Sequence, residues 1–273
     1  MLHERIYLDK GDGMVYIDTY VANDRKRARD AVLVIPGGGY SQVCTDREGE
    51  PIALAYVAKG LNAFVLNYRV TSGDEVHPYP AQLIDASRAI VYIKRHASEL
   101  GIDPERVFAV GFSAGGHLCG SLAILHSDER VLAELGICTG ENKPRGAILA
   151  YPVVSAFDKG THRRSFENLA ALPFDEISEE QKRELSLECN VTEDSAPLFI
   201  WHTAEDTVVS PRGSLMLAES CIDARRPVTL RLYPYGCHGT ALANEITRGD
   251  YPESVQPMVE EWIDVTYEWM KTV

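Results

Sequence analysis

The chain has 273 residues, 45% of them hydrophobic and 25% charged, with a formal net charge of −13. That length is ordinary for one domain with a large buried core. The acidic balance disfavours nucleic acid or an anionic membrane surface as a partner, since either polyanion would repel it. No window approaches the roughly 18 consecutive apolar residues of a membrane span, so no membrane partner is expected. The first ten residues alternate charged and apolar types and hold no apolar stretch of signal-peptide length. The six cysteines, at 44, 119, 138, 189, 221 and 237, form no Cys-x-x-Cys pair. That spacing fits neither a zinc site nor a disulfide framework, so reduced thiols and a cytoplasmic location are expected.

In chain order, residues 4–8 and 14–21 read as strands flanking a Gly11-Asp12-Gly13 turn. Residues 31–36 are a continuous apolar run that ends in three glycines. A helical pattern covers 50–60, and 62–68 is another apolar strand. Pro80 opens an amphipathic helix to about residue 98, and Asp103-Pro104 leads into a strand that ends before Ser113. A helix to about residue 126 follows, then strands at 146–154 and 198–203, a helix at 211–225, a strand at 228–233 and a final helix at 256–271. Strands alternating with helices predict right-handed crossovers and a mostly parallel sheet with helices on both faces. The charged segment 155–195 breaks the rhythm and is expected to be a short helical insertion over the carboxyl edge of the sheet. No linker divides the chain, so residues 1–273 are expected to be one domain.

The sharpest local signal is Gly111-Phe112-Ser113-Ala114-Gly115. Four of the five preceding residues are apolar, as in a buried strand. A small-residue run and then Leu118, Leu122 and Leu125 follow, as in a helix. A Gly-x-Ser-x-Gly between strand and helix forms a sharp turn that lifts the serine hydroxyl above the sheet. A chance match in a loop would lack that setting.

A serine hydroxyl needs a base to take its proton and a group to orient the base. His238, after the strand at 228–233, and Asp206, after the strand at 198–203, both fall on the edge that carries Ser113. Open α/β sheets bind ligands there. Glu205 and Asp158 are alternative carboxylates. His117 is expected to pack under the turn and His202 to lie in the core.

An acyl-transfer reaction also needs N–H donors for the charge that develops on the carbonyl oxygen. The loop Pro36-Gly37-Gly38-Gly39-Tyr40 and the backbone of Ala114 can supply them, with Gly38, Gly39 and Ala114 as the donors. The loop lacks the Gly-Lys-[Ser/Thr] of a phosphate loop and the third glycine of a dinucleotide fingerprint.

Taken together, the glycine loop, Asn67-Tyr68-Arg69, Asp103-Pro104-Glu105-Arg106-Val107, the Ser113 elbow and the turns at Asp206 and His238 resemble the α/β-hydrolase superfamily. The likeness covers nearly the whole chain. It is similar to the esterase/lipase branch with an HGGG-type oxyanion loop, although Pro36 stands where that branch usually has histidine. Within the branch it resembles bacterial acetyl-xylan esterase-like and feruloyl-esterase-like carbohydrate esterases, which also share a segment like His77-Pro78-Tyr79-Pro80-Ala81-Gln82. The resemblance implies an α/β-hydrolase fold and a serine esterase with Ser113 as nucleophile, His238 as base and Asp206 as its orienter. It implies no metal or organic cofactor. Its substrates would be short-chain esters of sugars or oligosaccharides. Tyr40, His77, Tyr79 and Tyr151, near the carboxyl edge, are candidate sugar contacts. An exopeptidase with the same triad and a non-catalytic binding protein on the same scaffold are the competing readings. Oligomeric state stays open, a homo-oligomer included.

Overall fold

The computed structural model describes residues 1–9 and 14–273, so the Gly11-Asp12-Gly13 turn lies outside the described residues. Among the described residues, eight strands form one sheet: β1 (Arg5–Tyr7), β2 (Tyr16–Tyr20), β3 (Arg29–Ile35), β4 (Asn62–Asn67), β5 (Ile102–Phe112), β6 (Ala147–Ala150), β7 (Leu198–Thr203) and β8 (Val228–Tyr233). Their spatial order is β1-β2-β4-β3-β5-β6-β7-β8. The pairs β1/β2 and β2/β4 are antiparallel, and every pair from β4 to β8 is parallel. This is the expected α/β-hydrolase architecture.

The parallel strands read as unbroken apolar runs because both of their faces are covered. In β3, Leu33 and Ile35 point to one core and Val32 and Val34 to the other. Helix α2 (Glu50–Ala58), which follows the single turn α1 (Thr45–Glu48), covers the second face through Ile52, Ala53 and Tyr56. Helix α3 (Ala81–Arg95) covers the first face through Leu83, Ala86, Ile90 and Ile93. It stops at His96, and a separate turn α4 (Ala97–Leu100) ends at Gly101 in the left-handed region. The first face also takes α5 (Ser113–Ile124).

Several elements depart in detail from the sequence pattern. The strand expected at 146–154 ends at Ala150, because Tyr151 adopts φ +37° and turns the chain out of the sheet. A helix that the pattern does not announce, α6 (Glu129–Leu135), is opened by the Asp128 carboxylate accepting from the Arg130 N–H and closed by left-handed Gly136. Residues 155–195 carry α7 (Arg163–Ala170) and α8 (Glu179–Leu185), with 3-10 turns at Phe174–Glu176 and Leu187–Cys189. After α9 (Arg212–Asp223), the last helical region divides at Glu261 into α10 (Pro257–Glu260) and α11 (Trp262–Met270).

The strand order reverses direction around β3 and β5, which lie side by side with Ile35 opposite Gly111. Crevices at such reversals, outside the carboxyl ends, are where these sheets bind ligands. The glycine loop after β3 and Ser113 after β5 therefore leave the sheet next to each other. The turns after β6, β7 and β8 bring Tyr151, Asp206 and His238 to the same edge.

Candidate active site

Ser113 is the first residue of α5 and has φ +54°. A side-chain-bearing residue in that region costs about 1 kcal/mol or more, and here the strain aims the hydroxyl away from the sheet. The crowding explains the flanking glycines. A Cβ on Gly111 would sit 2.1 Å from the Gly115 carbonyl oxygen, and one on Gly115 would sit 2.3 Å from that of Ile35. The Ser113 hydroxyl lies 2.8 Å from His238 Nε2, and His238 Nδ1 lies 2.6 Å from Asp206 Oδ2.

Asp206 is buried and fully engaged. Its Oδ1 accepts from the N–H groups of Val208 and Val209, each at 2.9 Å. Its Oδ2 is shared by His238 and, at 3.2 Å, by His202 Nε2. Burial alone would raise this carboxyl, but the hydrogen bonds from His202 and His238 outweigh it and hold Asp206 well below the usual carboxylate range. His202 is buried in β7, as its apolar surroundings suggested, yet it also serves Asp206. Both groups facing its Nε2, Asp206 and the Val209 carbonyl, are acceptors, so that nitrogen carries the proton and Nδ1 accepts from the Ser214 hydroxyl. The alternative carboxylates lie elsewhere: Glu205 faces the Gly236 N–H at 3.5 Å, and Asp158 accepts from Gly160 in a local turn. His117 is buried under the elbow, where it accepts from the Tyr40 hydroxyl at Nδ1 and donates from Nε2 to the Leu185 carbonyl.

The glycine loop is held from three sides. The Tyr68 hydroxyl donates to the Pro36 carbonyl at 2.8 Å, and the Asn168 side chain of α7 donates to the Gly39 carbonyl at 2.7 Å. Beneath the loop, the buried Glu48 carboxylate accepts the Gly37 N–H at 2.7 Å and the Tyr151 hydroxyl at 2.8 Å. Burial pushes Glu48 upward, against the opposing pull of the Tyr151 hydroxyl and the Gly37 N–H. Gly38 (φ +128°) and Gly39 (φ +64°) line the cavity, and among the described residues their N–H groups donate to no protein acceptor. Ala114 lies in the first turn of α5, where N–H groups have no partner within the helix.

These groups open into a cavity of about 450 Å³ that also carries Arg47, His162, Arg164, Thr207, Val208 and Tyr251 on its walls. A larger cleft of about 670 Å³ opens at the amino ends of β6, β7 and β8, between Lys94, Arg145 and Arg226, and touches none of the Ser113 groups. The four aromatic residues expected to hold a sugar are not on the walls of the Ser113 cavity. Tyr40 and Tyr151 are buried with their hydroxyls on His117 and Glu48. Tyr79 points to Asp128 and lies under Arg130, and the His77 Nε2 is buried. Left-handed backbone at Tyr40 (φ +60°) and Tyr151 (φ +37°) sends those two rings inward instead of into the cavity.

His162, just ahead of α7, was not singled out from the sequence, because it belongs to a charged segment without a strand end to mark it. Its ring is within 3.8 Å of where a Gly39 side chain would begin, and its Nδ1 is paired with the Ser165 hydroxyl. Among the described residues, no group of three or more His, Cys, Asp or Glu side chains is placed to hold a metal ion. No described helix is long and apolar enough to cross a membrane.

The BD-FAE family model matches residues 17–221. The chain belongs to the BD-FAE family. This BD-FAE chain is 38% identical over 229 residues to endo-1,4-beta-xylanase B of Butyrivibrio fibrisolvens, covering 83% of this chain and 34% of that protein. It is 30% identical over 138 residues to an acetylxylan esterase of Xylanibacter ruminicola, covering 50% of this chain and 25% of that protein. The matched region thus spans about a third and a quarter of the length of those two relatives. Solved structures align along the whole length. An acetyl ester-xyloside bifunctional hydrolase from Caldicellulosiruptor lactoaceticus superposes with a TM-score of 0.82 at 28% identity, covering 98% of this chain and 96% of that one. The carboxylesterase Cest-2923 from Lactobacillus plantarum gives 0.84 at 25% identity, covering 100% and 98%.

Proposed function

We propose that this BD-FAE chain is a serine esterase that removes short acyl groups from acylated sugars or oligosaccharides. The observation that carries the reading is the continuous hydrogen-bonded line Ser113–His238–Asp206, which ends beside the unpaired N–H groups of the glycine loop. Ser113 Oγ attacks the ester carbonyl carbon while His238 Nε2 takes the hydroxyl proton. Asp206 holds the ring in the tautomer that leaves Nε2 free and stabilises the imidazolium. The N–H groups of Gly38, Gly39 and Ala114 receive the oxyanion. The carbon–oxygen bond to the alcohol breaks, and the alcohol leaves with the proton from His238. Water then gives a proton to His238 and its oxygen to the acyl carbon, releasing the acid and restoring Ser113.

The names of the relatives, an acetylxylan esterase and an acetyl ester-xyloside hydrolase, support a sugar ester as substrate. So do the Arg47, Arg164, His162 and Thr207 side chains on the cavity wall, which can hydrogen-bond ring hydroxyls. All six cysteines are unpaired, which fits action in the reducing cytoplasm. The test has three arms. A fluorophosphonate should label Ser113 alone. The enzyme should hydrolyse p-nitrophenyl acetate but not an aminoacyl nitroanilide. Acetylated xylo-oligosaccharides should surpass p-nitrophenyl acetate in kcat/KM, and equal or lower values would refute the sugar assignment while leaving the esterase intact.

A further inference from the structure

The esterase reading uses neither Glu48 nor the hydroxyl of Tyr151, yet the two form a buried hydrogen-bonded bridge between the two loops on which the chemistry depends. Its polarity follows from its donors. The Ala241 N–H, on the loop that carries His238, donates to the Tyr151 oxygen at 3.1 Å. The tyrosine proton goes on to Glu48 Oε1 at 2.8 Å, and Glu48 Oε2 receives the Gly37 N–H, one residue from the oxyanion donors. Both carboxylate oxygens therefore face donors, the arrangement that suits the ionised form. The Tyr151 ring also packs edge-on against the His238 imidazole, with centroids 5.0 Å apart.

Glu48 is 4% exposed and makes no ion pair among the described residues. The titratable and charged groups within electrostatic reach of it are Arg47 on α1, Cys44 before it, Tyr68 after β4, Tyr151 after β6 and His238 after β8. Arg47 is half-exposed and points to the cavity mouth, where water screens it. His238 is different, because it gains its positive charge during the reaction and its side chain is only 16% exposed.

We propose that Glu48 is a positioning residue of the esterase: through Gly37 and Tyr151 it locks the oxyanion loop to the histidine loop, and its fixed charge favours the imidazolium that His238 becomes when Ser113 attacks. No proton passes to or from Glu48. The inference rests on the serine esterase reading and adds a second buried carboxylate, which reaches the imidazole through the Tyr151 ring. It also accounts for how this loop stays ordered with proline at position 36, since the loop is held by a carboxylate from beneath.

The experiment is the pH dependence of p-nitrophenyl acetate hydrolysis by wild type, Glu48→Gln and Tyr151→Phe. Glu48→Gln removes the charge at constant size. Its kcat should fall about 10- to 100-fold with KM within about threefold, as for an interaction made in the transition state. The acid limb of kcat/KM should move to lower pH by about half a unit or more, since an attractive charge has been removed from the imidazolium. Tyr151→Phe breaks the bridge and leaves the carboxylate with the Gly37 N–H as its remaining donor. It should lower kcat several-fold and move the acid limb less than Glu48→Gln does. A Glu48→Gln profile that overlays wild type overturns the charge role. Tyr151→Phe with wild-type kcat overturns the bridge, and that arm decides the matter if Glu48→Gln does not fold. A wild-type enzyme that neither hydrolyses the ester nor takes a fluorophosphonate on Ser113 would overturn the esterase reading itself, a different outcome from either.

Discussion

Replacing Asp206 by asparagine changes one atom, and the structure says what that atom does. Oδ1 serves two backbone N–H groups at 2.9 Å, which only an oxygen can accept. The amide oxygen of the substituted side chain would therefore take that place, and its NH2 group would face His238 Nδ1 and His202 Nε2, where Oδ2 now accepts at 2.6 and 3.2 Å. An NH2 can donate only to an unprotonated Nδ1. The His238 proton would move to Nε2, the nitrogen that must stay free to receive the Ser113 proton. His202 keeps the Val209 carbonyl as an acceptor at 3.1 Å, so the turn should survive. The expected loss in kcat is about 10³- to 10⁴-fold, equivalent to about 4–5.5 kcal/mol of transition-state stabilisation, with KM little changed. Initial rates on p-nitrophenyl acetate and the rate constant for fluorophosphonate labelling of Ser113 should fall together. A kcat within tenfold of wild type would refute the argument. So would a crippled Glu205→Gln beside an active Asp206→Asn.

Ser113→Ala should lose at least about 10³-fold in ester hydrolysis and all fluorophosphonate labelling while keeping its unfolding midpoint, and label on another serine would displace the assignment. Buried His117 is pushed from its ordinary 6.5 down to about 4 by desolvation. Below pH 6.5 the unfolded chain takes this proton and the folded chain does not, so stability should drop as pH falls from 6.5 toward 4, by up to about 3 kcal/mol. Urea midpoints across that range should fall less steeply in His117→Gln, and an identical slope would contradict the burial argument. Among acyl chains, acetate should beat octanoate in kcat/KM, because Val208 and Tyr251 are the large apolar side chains on a wall otherwise rich in Arg47, Arg164, His162 and Thr207. Each added methylene gains about 0.8 kcal/mol only where apolar surface receives it, and rates rising steadily to the eight-carbon chain would show a tunnel that this cavity lacks.

What was legible in the sequence follows from how each signal is written. Core strands such as β3 announce themselves because two covered faces demand an unbroken apolar run. The turn around Ser113 announces itself because Gly111 and Gly115 tolerate no Cβ. The meeting of Asp206 with His238 was legible because strand ends on one edge converge. The aromatics expected to contact a sugar are not on the cavity wall, because a strand-end position does not tell where a side chain points. Tyr40 and Tyr151 turn inward through left-handed backbone that neither residue type advertises. His202 hid in an apolar strand, where its bond to Asp206 depends on a turn four residues later. Glu48 hid in a charged stretch, Thr45-Asp46-Arg47-Glu48, that looks like solvated surface until the fold buries its last member.

The segment 155–195 divides labour within the site unevenly. In the proposed esterase, Ser113, Asp206 and His238 all come from turns of the sheet, whereas His162 and Arg164 on the cavity wall come from this segment. An exchange of the segment between relatives would look like a clean way to acquire a new substrate. Yet the same segment carries Asn168, whose amide grips the Gly39 carbonyl of the glycine loop, and Leu185, whose carbonyl holds His117 beneath the elbow. Selectivity and rate are therefore inherited together. A transplanted segment that changed the wall but dropped those two contacts would deliver a roomier cavity and a slacker catalyst. Drift in this family should accordingly be freer at 162 and 164 than at 168.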